Sequence, residues 1–297
     1  MVAIRDERIV SIEEAVSVVK DGDVVGLSGS VLFNQPAALA RAVIRKGVKD
    51  LTLVMLTGGL VSDMLVGAGC VKKIVTTYMA MQDYAPICPN FQRKYMSGEV
   101  KFWECDFQHF HCTIKGAQWG MPYLLTKAGV GTDICKINPD LEEIEYKGEK
   151  WVKVPPTPLD VSLIYANKVD PYGNCVYEGS VFAEFILANA TKRAIIVQAE
   201  EIVPNEYIRR DPRVAILGGP TRADYVVDVP YGAHPDEGPK YYAHDAQFCK
   251  EYVKAAKSDE TFKVWLDKYV YGPKTQAEYL EAVGGITKLL TLRQSMI

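Results

Sequence analysis

The opening stretch of the chain constrains its fold more than any other. Asp21-Gly22 makes a turn, and Val24-Val25 starts a short apolar strand. A small-residue bend follows, Ser28-Gly29-Ser30, and then an apolar tip, Val31-Leu32-Phe33. Pro36 opens a helix over Ala37 to Arg45, with Leu39, Val43 and Ile44 near helical spacing. Asp50 to Leu56 reads as a second strand. Its Leu51-to-Leu56 run is apolar on both faces, as a central parallel strand covered on two sides requires. Small residues between a strand end and a helix start let a ligand come close to the backbone.

The rest of the chain repeats this alternation. Ser11-Ile12-Glu13-Glu14 has the form of a helix-start capping box. Thr57-Gly58-Gly59 is a second flexible loop, followed by a helix at 62–68 and a strand at 73–78. Helices are expected at 90–96, 109–119 and 181–190, and strands at 100–103, 160–166, 193–198 and 225–229. Residues 126–150 hold Gly, Asn-Pro and a charge run, and are expected to be an insertion or hairpin. From about residue 245 the chain reads as a helical tail, to Leu266 and again over 276–282. The prediction is an α/β chain, one domain over 1–297. Its core is an open, mostly parallel sheet with helices on both faces and a helical C-terminal segment. Sites in such sheets lie beyond the carboxyl ends of the strands. The loops at 28–35, 57–60, 79–84 and 230–236 are therefore expected to meet.

Composition narrows the function. A chain of 297 residues with net charge −3 has no electrostatic case for nucleic acid or an anionic membrane surface. No apolar run is long enough to span a bilayer. The first residues, Met1 to Arg8, lack the apolar core of a signal peptide. The seven cysteines are scattered, with no CxxC, as expected of reduced thiols in a cytoplasmic protein.

Several motifs carry less than they promise. Gly26-Leu-Ser-Gly29-Ser is neither GxGxxG nor the GxSxG elbow, and no Walker A loop occurs. His109, His111, Cys105 and Cys112 fit no zinc spacing, and on a helix the two histidines point apart, so no metal site is expected. Glu104 and Asp106 invite an acid–base pair, with Trp103 able to desolvate Glu104, yet a strand end with a solvated acid explains them better. His234, in Pro230-Tyr-Gly-Ala-His-Pro235 after a strand, is equally a site candidate and a turn histidine. Glu200-Glu201 reads as an ordinary solvated or capping pair.

Asp21 to Pro36 resembles the N-terminal motif of class I coenzyme A transferases. Asp21, Gly22, Gly29 and Pro36 match at the family spacing, while Gly26, Ser28, Ser30 and Asn34 depart from it. The chain is further similar to the A-type half of glutaconate CoA-transferase and its relatives. That similarity runs through Val61 to Gly69, Asp160 to Ala166, Glu200-Glu201-Ile, Ile208 to Pro212 and Pro230 to Pro235. The resemblance implies a cofactor-free enzyme whose substrate is a CoA thioester. It implies a covalent route through a glutamate that lies in a partner B subunit, in an A2B2 or larger assembly. Tyr177-Glu178-Gly179-Ser180 is only a superficial candidate for that nucleophile. Ser28, Gly29, Ser30, Phe33, Asn34, Gln35 and His234 are then the expected substrate-binding residues. Related A-type chains often carry a cation just before the motif proline; here Val31 to Gln35 has none. The acyl group is therefore expected to end in an apolar, aromatic or alicyclic group. The same scaffold resembles ring-opening hydrolases of steroid breakdown and a decarboxylase. For the hydrolases the resemblance implies a carboxylate where Phe107 stands, leaving Glu104 or Asp106 as substitutes. A non-catalytic, pocket-shaping partner is the third alternative.

Overall fold

The computed structural model describes residues 7–210 and 215–294. Met1 to Asp6, from the reading of the N-terminus, and Asp211-Pro212 lie outside them. In chain order, helix α1 (Ile12–Ser17), strand β1 (Val24–Leu27), α2 (Ala37–Lys46), β2 (Leu51–Val54), α3 (Leu60–Gly67), β3 (Val71–Val75), α4 (Pro89–Met96) and β4 (Lys101–Trp103) come first. Then follow α5 (Phe107–Trp119), β5 (Leu124–Thr126), α6 (Ile134–Ile137), β6 (Glu142–Tyr146), β7 (Glu149–Val154), β8 (Leu159–Val169) and β9 (Cys175–Tyr177). The last group is α7 (Glu184–Ala190), β10 (Thr191–Ile202), α8 (Asn205–Arg210), β11 (Ala215–Leu217), β12 (Tyr225–Asp228), α9 (Ala246–Ala255), α10 (Asp259–Leu266), α11 (Gln276–Ala282) and α12 (Gly285–Gln294).

The expected open, mostly parallel sheet is present. Seven parallel strands lie in the order β4-β3-β2-β1-β8-β10-β12, with β9 antiparallel to β8 and β11 antiparallel to β9. Both faces are covered, and period-2 alternation divides each strand between them. Leu51 and Leu53 of β2 pack into the core under α1–α4 and the C-terminal helices, whereas Val54 joins the opposite core with α5 and α7. No helix among the described residues is long and apolar enough to cross a membrane.

Local chemistry explains where element ends differ from the sequence expectation. The second strand starts at Leu51, because Asp50 takes a left-handed turn (φ 59°). The helix expected from Val181 starts only at Glu184, whose carboxylate turns back to accept the Phe182 N–H at 2.6 Å. Residues 126–150 contain the β6–β7 hairpin, closed by Lys147 and Gly148 with φ of 55° and 75°, the backbone of a two-residue hairpin turn. With β5 it forms a separate three-stranded sheet. Helix α12 was hidden in the sequence behind Gly284-Gly285, and β5, β9 and β11 are too short to carry a period.

Candidate functional site

The order of the sheet reverses between β1 and β8. From β1 the chain winds outward through β2, β3 and β4; from β8 it winds the other way through β10 and β12. The loop after β1 therefore leaves the sheet at its switch point, where open α/β sheets place ligands. Ser28 anchors it there. Its N–H donates to Leu163 O (3.0 Å), and its Oγ accepts the Tyr165 N–H (2.9 Å) and donates to Asn34 O (3.3 Å). Gly29 has φ +85°, and a Cβ there would lie 2.4 Å from Phe33 O, so the bend tolerates no side chain. Ser30 and Phe33 exchange two backbone hydrogen bonds of 2.8 Å and close a turn around Val31-Leu32.

Three of the four loops expected to meet are hydrogen-bonded to one another, and the fourth joins them through Glu237, one residue past its expected end. Ser30 Oγ and Thr57 Oγ1 lie 2.6 Å apart, and Gln35 Nε2 donates to Thr57 O at 3.5 Å. Gly58 N–H donates to Tyr78 O, and Ala80 N–H to Gly58 O. Gly59 backs directly onto Val31, where an added Cβ would fall 1.7 Å from the carbonyl oxygen. On the other side, Glu237 N–H donates to Leu32 O (2.8 Å) and Asn34 N–H to Glu237 O (3.2 Å). Asn34 Nδ2 reaches Ser180 O at 2.8 Å. Ser28, Gly29, Ser30, Phe33, Asn34 and Gln35 thus form one tightly bound loop, with the Phe33 ring half-buried on it.

This cluster leaves buried polar atoms open. Asn34 Oδ1, Gln35 Oε1 and Glu184 Oε1 are buried without a partner. Burial pushes the Glu184 carboxyl up to about 7, against the pull of backbone N–H groups that include those of Phe182 and Gly29. Glu237, half-buried, is also raised by desolvation. Two charged neighbours of the loop, Glu184 and Glu237, are acids. No lysine or arginine side chain hydrogen-bonds to residues 28–36 among the described residues.

His234 is placed elsewhere. It is fully buried, and its ring turns into the C-terminal helices: Nδ1 lies 2.8 Å from the Tyr279 hydroxyl and Nε2 3.4 Å from Asp245 Oδ2. Burial lowers its pKa, opposed by Asp245. Its segment hydrogen-bonds to the loop after β1 through the backbone of Glu237. Glu200 braces the same segment. It accepts the Tyr231 N–H (2.6 Å) and the Tyr242 hydroxyl, and burial pushes its carboxyl up to about 7. It is therefore a buried anchor, not the solvated or capping acid expected.

The outer candidates separate as well. Asp106 is the N-cap of α5, accepting the His109 N–H at 2.8 Å, so it forms no acid–base pair with Glu104. Glu104 stands alone past the edge strand β4, half-buried and raised by desolvation. Phe107 is the exposed first residue of α5. His109 Nε2 meets Ala128 O, and His111 Nδ1 meets Phe107 O; no metal-holding group of His, Cys, Asp or Glu occurs among the described residues. Glu178 pairs with Lys168 at 2.9 Å. Thr57 belongs to a loop expected there, whereas sequence reasoning missed Ser180, Glu184 and Glu237 as neighbours of the loop. Only Glu184 left a signal, a single acid in an apolar helix.

Known proteins share this architecture. The profile of the family described as coenzyme A transferase matches residues 9–228. A protein of Archaeoglobus fulgidus is 34% identical over 97% of this chain, which spans 65% of that longer protein. The A-type half of the 3-oxoadipate CoA-transferase of Pseudomonas knackmussii is 33% identical over 91% of this chain and 96% of its own length. The crystal structure of glutaconate coenzyme A-transferase from Acidaminococcus fermentans superposes with a TM-score of 0.89 at 29% identity, covering 96% of this chain and 95% of that one.

Proposed function

The chain belongs to the coenzyme A transferase family, and from that premise we propose that it is the A-type half of a two-chain CoA-transferase. The enzyme moves CoA between an acyl-CoA and a carboxylic acid. The glutamate nucleophile comes from a B-type partner, in an A2B2 or larger assembly. It attacks the thioester carbonyl, expels CoA thiolate and leaves an acyl–glutamyl anhydride. The thiolate then attacks the glutamyl carbonyl, releasing the acyl group as its free acid and leaving a glutamyl–CoA thioester. The acceptor carboxylate reverses the two steps. Splitting the transfer in this way is nucleophilic catalysis with ping-pong kinetics. Both intermediates hydrolyse if water reaches them.

The observation that carries this reading is the loop after β1. It stands at the switch point of a family-type sheet, pinned by Ser28 and three neighbouring loops, with open acceptor atoms on Asn34 and Gln35. In this reading Ser28, Gly29, Ser30, Asn34 and Gln35 shape the wall that the partner's glutamate faces, and Phe33 lines the acyl subsite. His234 acts by position, holding the 230–237 segment against the C-terminal helices. A buried carboxylate without a partner costs several kcal/mol. With acids beside this loop and no lysine or arginine hydrogen-bonded to it among the described residues, the acyl group ends in an apolar, aromatic or alicyclic group.

The test is exchange by the purified pair of chains. Acyl-CoA and labelled acceptor acid are expected to give acceptor-dependent label in the thioester, with benzoyl- or cyclohexanecarboxyl-CoA preferred over succinyl- or glutaryl-CoA. Release of free CoA without acceptor would replace transfer by hydrolysis, with Glu104 as the first carboxylate to mutate. Exchange by this chain alone would remove the partner from the reading.

A further inference from the structure

A cavity lies away from the loop cluster, between α1, α2, the end of β12 and the start of α11. Its volume is about 250 Å³, just below the roughly 300–1,000 Å³ of drug-sized ligand sites. Arg41, Arg45 and Lys274 line it, with Glu13 and Asp228 as the acids. Arg41 is buried, its guanidinium stacked 3.5 Å above the Tyr279 ring, donating to His234 O (3.1 Å) and Gln276 Oε1 (3.0 Å). Neither Arg41 nor Arg45 forms a salt bridge with an acid among the described residues. A buried guanidinium facing only neutral acceptors keeps an uncompensated charge. The remaining walls include Ile9, Val10, Val227 and Val229, which are apolar.

We propose that this cavity binds a small monocarboxylate, its carboxylate on Arg41 and Arg45 and its apolar body against the Ile9–Val229 wall. A planar guanidinium fork matches a carboxylate, and the apolar wall favours a short alkyl chain over a bare inorganic anion. The proposal does not depend on the transferase reading. Arg41 holds the carbonyl of His234, and the same segment continues to Glu237, which pairs with Leu32 and Asn34. An occupant is therefore linked through backbone to the loop after β1.

The test is calorimetric titration of the full chain, with its partner when the two purify together, using sodium butyrate as the probe. Saturable binding in the millimolar range is expected, weakened tenfold or more in Arg45→Gln and in Arg41→Gln. Ser28→Ala, in the loop cluster, is expected to bind as the wild type does, which separates the cavity from the reaction site. Circular dichroism establishes that each variant is folded. Binding unchanged in both cavity variants, binding lost in Ser28→Ala, no saturation in the wild type, or equal affinity for inorganic phosphate would each overturn the proposal.

Discussion

Two regions of this molecule bury acids in opposite ways. At the junction of α3, α4 and α9, the oxygens of Asp63 accept from Phe91 N (2.6 Å), Asn90 N (3.2 Å), Asn90 Nδ2 (3.1 Å) and the Tyr252 hydroxyl (2.8 Å). At the switch point, Glu184 accepts the Phe182 N–H through one oxygen, while its other oxygen and those of Asn34 and Gln35 have no partner. Buried polar groups in native proteins are nearly always satisfied, and the exceptions call for an explanation. The first region uses its polar atoms to join three helices. The second holds its backbone as tightly but leaves acceptors free for a group that the chain itself does not supply.

The largest effect expected from this contrast is at Asp63. Asp63→Leu leaves two backbone donors, an amide and a hydroxyl buried without their acceptor, and should cost about 3–5 kcal/mol. Urea unfolding measures it. A loss under about 1 kcal/mol would mean that the network is decoration and the contrast is empty.

The second effect is one of pH. Burial raises the Glu184 carboxyl from an ordinary 4.5 to about 7. Between those values the folded chain keeps a proton that the unfolded chain has released. Stability then falls as pH rises from about 4.5 to about 7 and is flat above, by up to about 3 kcal/mol from this group. Glu200, raised to about 7, and Asp63, raised to about 6, tilt stability the same way. Glu184→Gln removes one of these contributions, so the drop in melting temperature between pH 5 and pH 8 should shrink. An unchanged drop would show that Glu184 holds no raised carboxyl in the folded chain.

The contrast also sorts what could be read from the sequence. The β1–bend–α2–β2 unit was legible because strand and helix periods, Asp-Gly, Gly29 and Pro36 are local signals. The meeting of four distant loops was legible because a parallel sheet collects its loops at one edge. Asp63 was invisible, since its partners lie at 90, 91 and 252, and so was Glu237, which joins the site through its backbone. Glu200 was misjudged for a related reason: a carboxylate's role depends on which N–H or hydroxyl reaches it, and short spacing cannot say. His234 lies in the expected loop, but its ring direction is set by Tyr279 and Asp245, from helices whose docking carries no sequence mark.

The smallest effect tests the second region most directly. Ser28 Oγ takes the Tyr165 N–H and gives its proton to Asn34 O, tying β8 to the loop after β1. Ser28→Ala leaves one buried backbone N–H without an acceptor, a loss of about 1–2 kcal/mol. That is well below the cost at Asp63, and most of the fold should not register it. The loop should, because its far end at Asn34 loses a tether. A misplacement of about 1 Å can cost on the order of a hundredfold in rate. Exchange rate and unfolding free energy measured on the same preparation separate the two outcomes. A rate that falls tenfold or more with a small stability loss marks Ser28 as part of a positioned wall. A full rate with the same stability loss would make it a fold residue, like Asp63 on a smaller scale.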